Sequence, residues 1–147
     1  MNIIFLGTTG IHHTLIAAHL YLGKLEQEGY ANLKFWDDRN KEVLGYPIFI
    51  DYDKKRNKIY SLGGGWEVLM TQKTIEQLVK IMDFSEQDLV VKPIFIKRER
   101  ILLLLYKIGR FKIVNRLVLP VINYLIKKEF TAIKQQVEEF KGGVRFA

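Results

Sequence analysis

The sequence predicts an α/β domain: three layers built on a mostly parallel sheet of four or five strands with a β-hairpin, and a helical, basic C-terminal third. Three observations predict it. The apolar run Ile3-Ile4-Phe5-Leu6 ends at Gly7 and is followed by a loop and then by apolar residues at helical spacing, as in a strand buried on both faces and its crossover helix. Pro47 to Tyr52 and Asn57 to Leu62 flank the polar turn Asp53-Lys54-Lys55-Arg56, which gives a hairpin. From Ile94 onward the apolar residues recur at helical spacing.

A chain of 147 residues suits one domain, 1–147, and can bury about two thirds of its unfolded surface. Its 48% apolar and 27% charged content is that of an ordered globular protein. With no cysteine, disulfide and thiolate chemistry are excluded, and zinc would need histidine and carboxylate ligands. The start Met1-Asn2-Ile3-Ile4 has no basic n-region and only a strand-length apolar run, so the cytoplasm is the expected location. The sheet-forming part, 1–91, holds ten basic and twelve acidic residues, and the helical part, 92–147, holds thirteen and four. The net charge of +7 therefore comes from the last third.

Taken in order, Ile3 to Leu6 is a strand, and Ile11, Leu15, Ala18, Leu22 and Leu25 form the stripe of a helix laid on the sheet. Asn32-Leu33-Lys34-Phe35-Trp36 reads as a further strand ending at Asp37-Asp38. After the hairpin, Gly63-Gly64-Gly65 leads to a helix with Ile75, Leu78, Val79 and Met82 on one face and Thr71 or Thr74 as N-cap. Leu89-Val90-Val91 is the last strand. Gly109 separates two helices, Pro120 is expected to kink or break the second, and the face Ile126, Phe130, Ile133, Val137, Phe140 ends at Gly142-Gly143. Lys107, Arg110, Lys112 and Arg116 interrupt the apolar runs before the ~20 residues that a spanning helix needs.

The sharpest motif is Gly7-Thr8-Thr9-Gly10-Ile11-His12-His13-Thr14. A loop between a buried strand and a helix N-terminus offers free backbone N–H groups and the positive end of a dipole, and so suits an anion. Against the phosphate-binding pattern G-x-x-x-x-G-K-[ST], Gly7 matches the first glycine and Thr14 the hydroxyl, but His12 replaces the second glycine and His13 the lysine. A nucleoside triphosphatase is disfavoured by those two departures. Simple phosphate binding at Gly7, Thr8, Thr9 and Gly10 remains, beside a structural reading in which the glycines only admit close helix–strand packing. His12 and His13 have the intrinsic pKa for proton transfer next to a held anion, and Thr14 supplies a hydroxyl. His12 and His19 share a helical face, but a rise of about 10.5 Å keeps both from one metal; Asp37 and Asp38 are the candidate oxygen ligands, and no metal site is assigned. Gly63, Gly64 and Gly65 form a second loop that would join the cleft if both loops leave the same sheet edge. Trp66 beside them would otherwise be a core anchor.

The stretch Gly10-Ile11-His12-His13-Thr14-Leu15-Ile16-Ala17-Ala18, with Leu22-Gly23 after it, resembles the opening of an uncharacterised bacterial family catalogued as domain of unknown function 3189. Its members show Cys-Tyr-Gly-Gly-Thr-His-Ser-Ser and then an alanine-rich helix ending in Leu-Gly. On this match His12 is the family's histidine and Gly10 its second glycine. His13 and Thr14 stand at its serines, its first glycine falls on Thr9, and its cysteine falls on Gly7, so cysteine chemistry does not carry over. Tyr60-Ser61-Leu62-Gly63 also looks like the family. The resemblance implies an α/β fold with a loop-centred site and brings no activity.

The functional expectation is binding of a small phosphate-bearing or other anionic ligand at 7–14, with phosphoester hydrolysis or transfer as the reaction class of any enzyme; no cofactor is named by these residues. The alternative is a non-catalytic module docking on an anionic membrane surface or acidic partner through helices 97–116, using Arg98, Arg100, Lys107, Arg110, Lys112 and Arg116. Against it stands the need of an α/β sheet for apolar cover on both faces. Nucleic-acid binding is disfavoured, since no aromatic platform or reader motif accompanies the basic stretch.

Overall fold

In a computed structural model of the chain, which describes residues 1–25, 29, 32–42 and 45–145, the first apolar run becomes the central strand. β1 (Asn2–Gly7) pairs in parallel with β3 (Lys58–Gly63) on one side and with β4 (Leu89–Pro93) on the other. β2 (Ile48–Tyr52) adds antiparallel to β3, as the hairpin reading expects, and the order is β2-β3-β1-β4.

Alternation along β1 sorts its side chains between two layers. Ile3 and Phe5 enter the larger core with α1 (His13–Tyr21), α3 (Glu99–Ile108) and α4 (Lys112–Arg145). Ile4 and Leu6 face the smaller core under α2 (Val68–Ile81). Helices on both faces of a largely parallel sheet make the three-layer α/β architecture. Burying each Ile or Leu of the first core contributes about 1.5–3 kcal/mol.

Several local expectations are corrected. Rather than laying one stripe on the sheet, α1 is buried at His13 through Ala18 and at Leu20, because α4 covers the side away from the sheet. Residues 32–36 form turns instead of a strand: Phe35 and Asp37 have φ of 70° and 51°, which extended backbone does not allow. α2 begins at Val68, which plugs into the second core, so Thr71 and Thr74 lie inside the helix and donate their hydroxyls to the Glu67 and Met70 carbonyls at 2.9 Å. On this helix Ile75 packs on the core while Leu78 and Met82 stay exposed. Trp66 is exposed and is no core anchor.

Gly109 does separate α3 from α4, but α4 runs unbroken through Pro120 and past Gly142-Gly143. Val118 and Ile122 on either side of the proline, then Ile126, Phe130, Ile133 and Val137, all sit in the first core and offset the lost hydrogen bond. Phe140 packs against Phe5 and Tyr21, with ring centroids 5.8 Å apart in both pairs, which carries the helix onward to its end.

The register of β1 on β3 pairs Leu6 with Leu62 and Gly7 with Gly63. The two glycine loops therefore leave the sheet side by side at the carboxyl ends of adjacent parallel strands. Gly7 lies under the His13 ring: a Cβ there would stand 2.2 Å from His13 Nε2 and 2.6 Å from Thr14 Cγ2. Gly7→Ala is expected to lower the stability to urea by about 1–3 kcal/mol through overpacking. Gly142→Ala, inside α4 and with open space around it, is expected to raise it by up to about 1 kcal/mol.

Candidate functional site

The loop that follows β1 is closed from solvent. Thr8, Thr9, His12, His13 and Thr14 are all at most 2% exposed. A buried loop must satisfy its own backbone, and this one does so across three segments. Gly64 N–H donates to the Gly7 carbonyl at 2.8 Å and Gly65 N–H to the Thr8 carbonyl at 3.1 Å. Thr14 Oγ1 donates to the Thr9 carbonyl at 2.8 Å and Ser61 Oγ to the Gly10 carbonyl at 2.6 Å, and the two hydroxyls lie 2.7 Å apart. Asp37 N–H donates to the Ile11 carbonyl at 3.2 Å. Thr14 and the three glycines 63–65 thus adjoin the first loop, and the Thr14 hydroxyl is engaged within it.

The loop's own amide donor is also taken, by a carboxylate. Gly10 N–H lies 3.1 and 2.9 Å from the two carboxylate oxygens of Glu42. That carboxylate is wedged between both loops, since a Cβ on Gly63 would stand 2.3 Å from Glu42 Oε1 and 2.8 Å from Gly10 N. Burial pushes the Glu42 carboxyl up to about 7, against the lowering effect of the Gly10 and Ile11 amides and of Arg39.

His12 lies at the centre of a second set of contacts. Its Nδ1 is 2.8 Å from Thr9 Oγ1 and its Nε2 is 2.8 Å from Asp37 Oδ1. Burial would raise the Asp37 pKa, but hydrogen bonds from His12 and Asn115 outweigh it and hold the carboxyl below its usual range. An ionised carboxylate only accepts, so Nε2 carries the imidazole proton and Nδ1 accepts from the Thr9 hydroxyl. Burial lowers the His12 pKa, with Asp37 opposing, and the neutral ring fits this direction of hydrogen bonds. A hydroxyl, an imidazole and a carboxylate in line are the arrangement by which a base draws a proton from a hydroxyl.

The carboxylate is anchored in turn. Asn115 Nδ2 donates to Asp37 Oδ2 at 3.0 Å, and Arg39 stands 3.6 Å from Oδ1. Arg39 also donates to Asn115 Oδ1 and to the Tyr106 carbonyl, and its guanidinium lies 4.6 Å from the centre of the Tyr106 ring. The helical third of the chain therefore reaches the loop through Tyr106 and Asn115.

His13 is as buried as His12 but has no comparable partners. Its ring covers Gly7, and neither ring nitrogen makes a hydrogen bond of good geometry. Burial pushes it down to about 3, with His12 adding to the effect and the nearby Ile94 backbone opposing it. Among the described residues, the buried side-chain nitrogens and oxygens without a hydrogen-bond partner are Thr8 Oγ1, both ring nitrogens of His13 and Nε of Arg39. Thr8 and His13 belong to the loop, and Arg39 to the group of side chains around Asp37.

Sequence reasoning placed the loop and singled out Asp37, though as an oxygen ligand rather than a partner of His12. Asp38 accepts from the Asn40 amide at 3.1 Å, and His19 bonds the Leu15 carbonyl at 2.8 Å. Among the described residues no group of three or more histidine, aspartate or glutamate side chains is placed to hold a metal ion. Glu42, Arg39, Ser61, Tyr106 and Asn115 were missed. Ser61 carried a faint signal, as a small polar residue in the strand before the second glycine loop.

The chain belongs to the family described as Protein of unknown function (DUF3189), whose model matches residues 2–142. No curated protein and no solved structure matches it.

The raised carboxyl of Glu42 gives this site a signature in pH. A group whose pKa is higher folded than unfolded stabilises the fold fully below its unfolded value of 4.5, and that contribution is lost as pH rises through about 7. Glu42→Gln abolishes the loss. Urea unfolding of both proteins across this range is expected to show the variant gaining on the wild type from pH 4.5 to about 7, then levelling, by up to about 3 kcal/mol.

Proposed function

We propose that the loop from Gly7 to Thr14 binds a small phosphate-bearing or other anionic ligand, whose place is held by the Glu42 carboxylate. The observation that carries this reading is the Gly10 amide, which already holds a carboxylate in the notch between the two glycine loops.

Glu42 supports the same reading from the other direction. Its carboxylate already sits on the Gly10 amide, as an anion would. With its pKa raised to about 7 it is a poorly held anion, readily protonated near neutrality, and a stronger one can replace it. The loop is closed by that side chain, so the ligand enters as Glu42 leaves. Gly63, against which the carboxylate rests, forms the far wall of the vacated notch.

Of the two histidines, His12 is the one suited to move a proton in phosphoester hydrolysis or transfer. It alone joins a hydroxyl, Thr9, to an ionised carboxylate, Asp37. His13 stays uncharged through the neutral range and lines the site.

The test is thermal unfolding against inorganic phosphate, nucleotides and sugar phosphates for the wild type, Glu42→Ala and His12→Gln. A ligand at 100 times its Kd is expected to add about 2.7 kcal/mol. The shift is expected to be larger in Glu42→Ala, which has no internal competitor. His12→Gln keeps its shift if the histidine serves only chemistry and loses it if the ring orders the loop. No shift with any phosphate compound in either the wild type or Glu42→Ala would sink the proposal.

A further inference from the structure

We propose that the hairpin of α3 and the first half of α4 docks on the surface of an anionic lipid bilayer, independently of any ligand at the loop. Both helices bury one side in the same core, α3 through Leu102 and α4 through Val118 and Ile122. The sides turned away from that core are apolar. Leu104 and Ile108 on α3, Phe111 in the turn, and Ile113, Leu117 and Val121 on α4 are all exposed, Ile113 to 81% and Leu117 to 75%. The spacing 113, 117, 121 is a single stripe along the helix. A solvated surface helix would carry polar residues there.

Charge names the partner. From Arg100 to Lys128 there are seven basic residues and no acidic one. Arg100, Lys107, Arg110, Lys112 and Arg116 are exposed among the apolar side chains. A second copy seated on this face would bring two such positive arrays together, which disfavours self-association. A partner that is anionic on its surface and apolar beneath it satisfies both the charges and the stripe, and a bilayer with acidic headgroups has that make-up. Trp66 lies at the edge of the same face, 53% exposed, with Lys107 Nζ 5.3 Å from its ring centre. An amphipathic aromatic beside a cation is suited to the headgroup level. The described residues contain no helix long and apolar enough to cross a membrane, so the association is peripheral.

The experiment is co-sedimentation of the full chain with vesicles of phosphatidylcholine alone and of phosphatidylcholine mixed with phosphatidylserine, at low and high salt. The wild type is expected to sediment with the mixed vesicles only and to be released by salt. Arg110→Glu/Arg116→Glu and Phe111→Ser/Leu117→Ser are each expected to weaken binding at least about tenfold. Both pairs are exposed, and unchanged circular dichroism keeps a loss of binding from being a loss of fold. Failure to sediment, equal sedimentation with phosphatidylcholine alone, or a wild-type dimer that Phe111→Ser/Leu117→Ser converts to monomer would each overturn the proposal. So would binding to an acidic polypeptide as strong as to vesicles and indifferent to the serine pair.

Discussion

The carbonyls of Gly7 through His12 have to be satisfied without water, and this requirement organises the protein. Each has a partner: Gly64, Gly65, Thr14, Ser61, Asp37 and Ile16, in chain order. These bonds tie the first loop to the second glycine loop, to β3, to the segment before Glu42 and to the start of α1. The approach is close enough that a Cβ on Gly10 would stand 3.0 Å from the Gly63 nitrogen. Glycine is required there by contact between two backbones, not by an unusual φ.

Given that frame, the placement of the ionisable groups follows. The Gly10 amide meets Glu42 instead of water, and that carboxyl titrates high because the notch that holds it is dry. Asp37, in a left-handed conformation that a strand would forbid, is aimed at His12 and secured by Asn115. The two carboxyl groups are pushed in opposite directions, Glu42 upward by burial and Asp37 downward by its donors.

The sheet was legible because its signals are local. An apolar run ended by glycine, a polar turn between two extended arms and Pro93 after a β-branched pair each act within a few residues. The helical stripe of Ile126 to Val137 was legible for the same reason. What could not be read is set by distance. Glu42 reaches Gly10 across 32 residues and Asn115 reaches Asp37 across 78, and no spacing rule joins such pairs. Pro120 was misread because local propensity makes it a breaker, while tertiary packing on both sides of it holds the helix together. The segment 32–36 was misread because its apolar content serves contacts such as Trp36 against the His12 ring, at 5.4 Å between centroids, rather than a sheet.

The basic third does two things with one pair of helices. Its inner side covers the sheet and sends Tyr106 and Asn115 to the site, and its outer side is left apolar and positive. The loop and that outer face are separate, and at the loop the Gly10 amide is met by a carboxylate from within the chain, as the proposed anion would meet it. The most direct measurement is a nitrogen-15 amide spectrum at neutral pH during addition of inorganic phosphate. The account predicts that the Gly10 and Ile11 amide signals move together and saturate as the Glu42 side-chain carboxyl signal changes. Amide shifts confined to exposed lysine-rich surface, with Gly10 unmoved at the highest phosphate concentration, would contradict it.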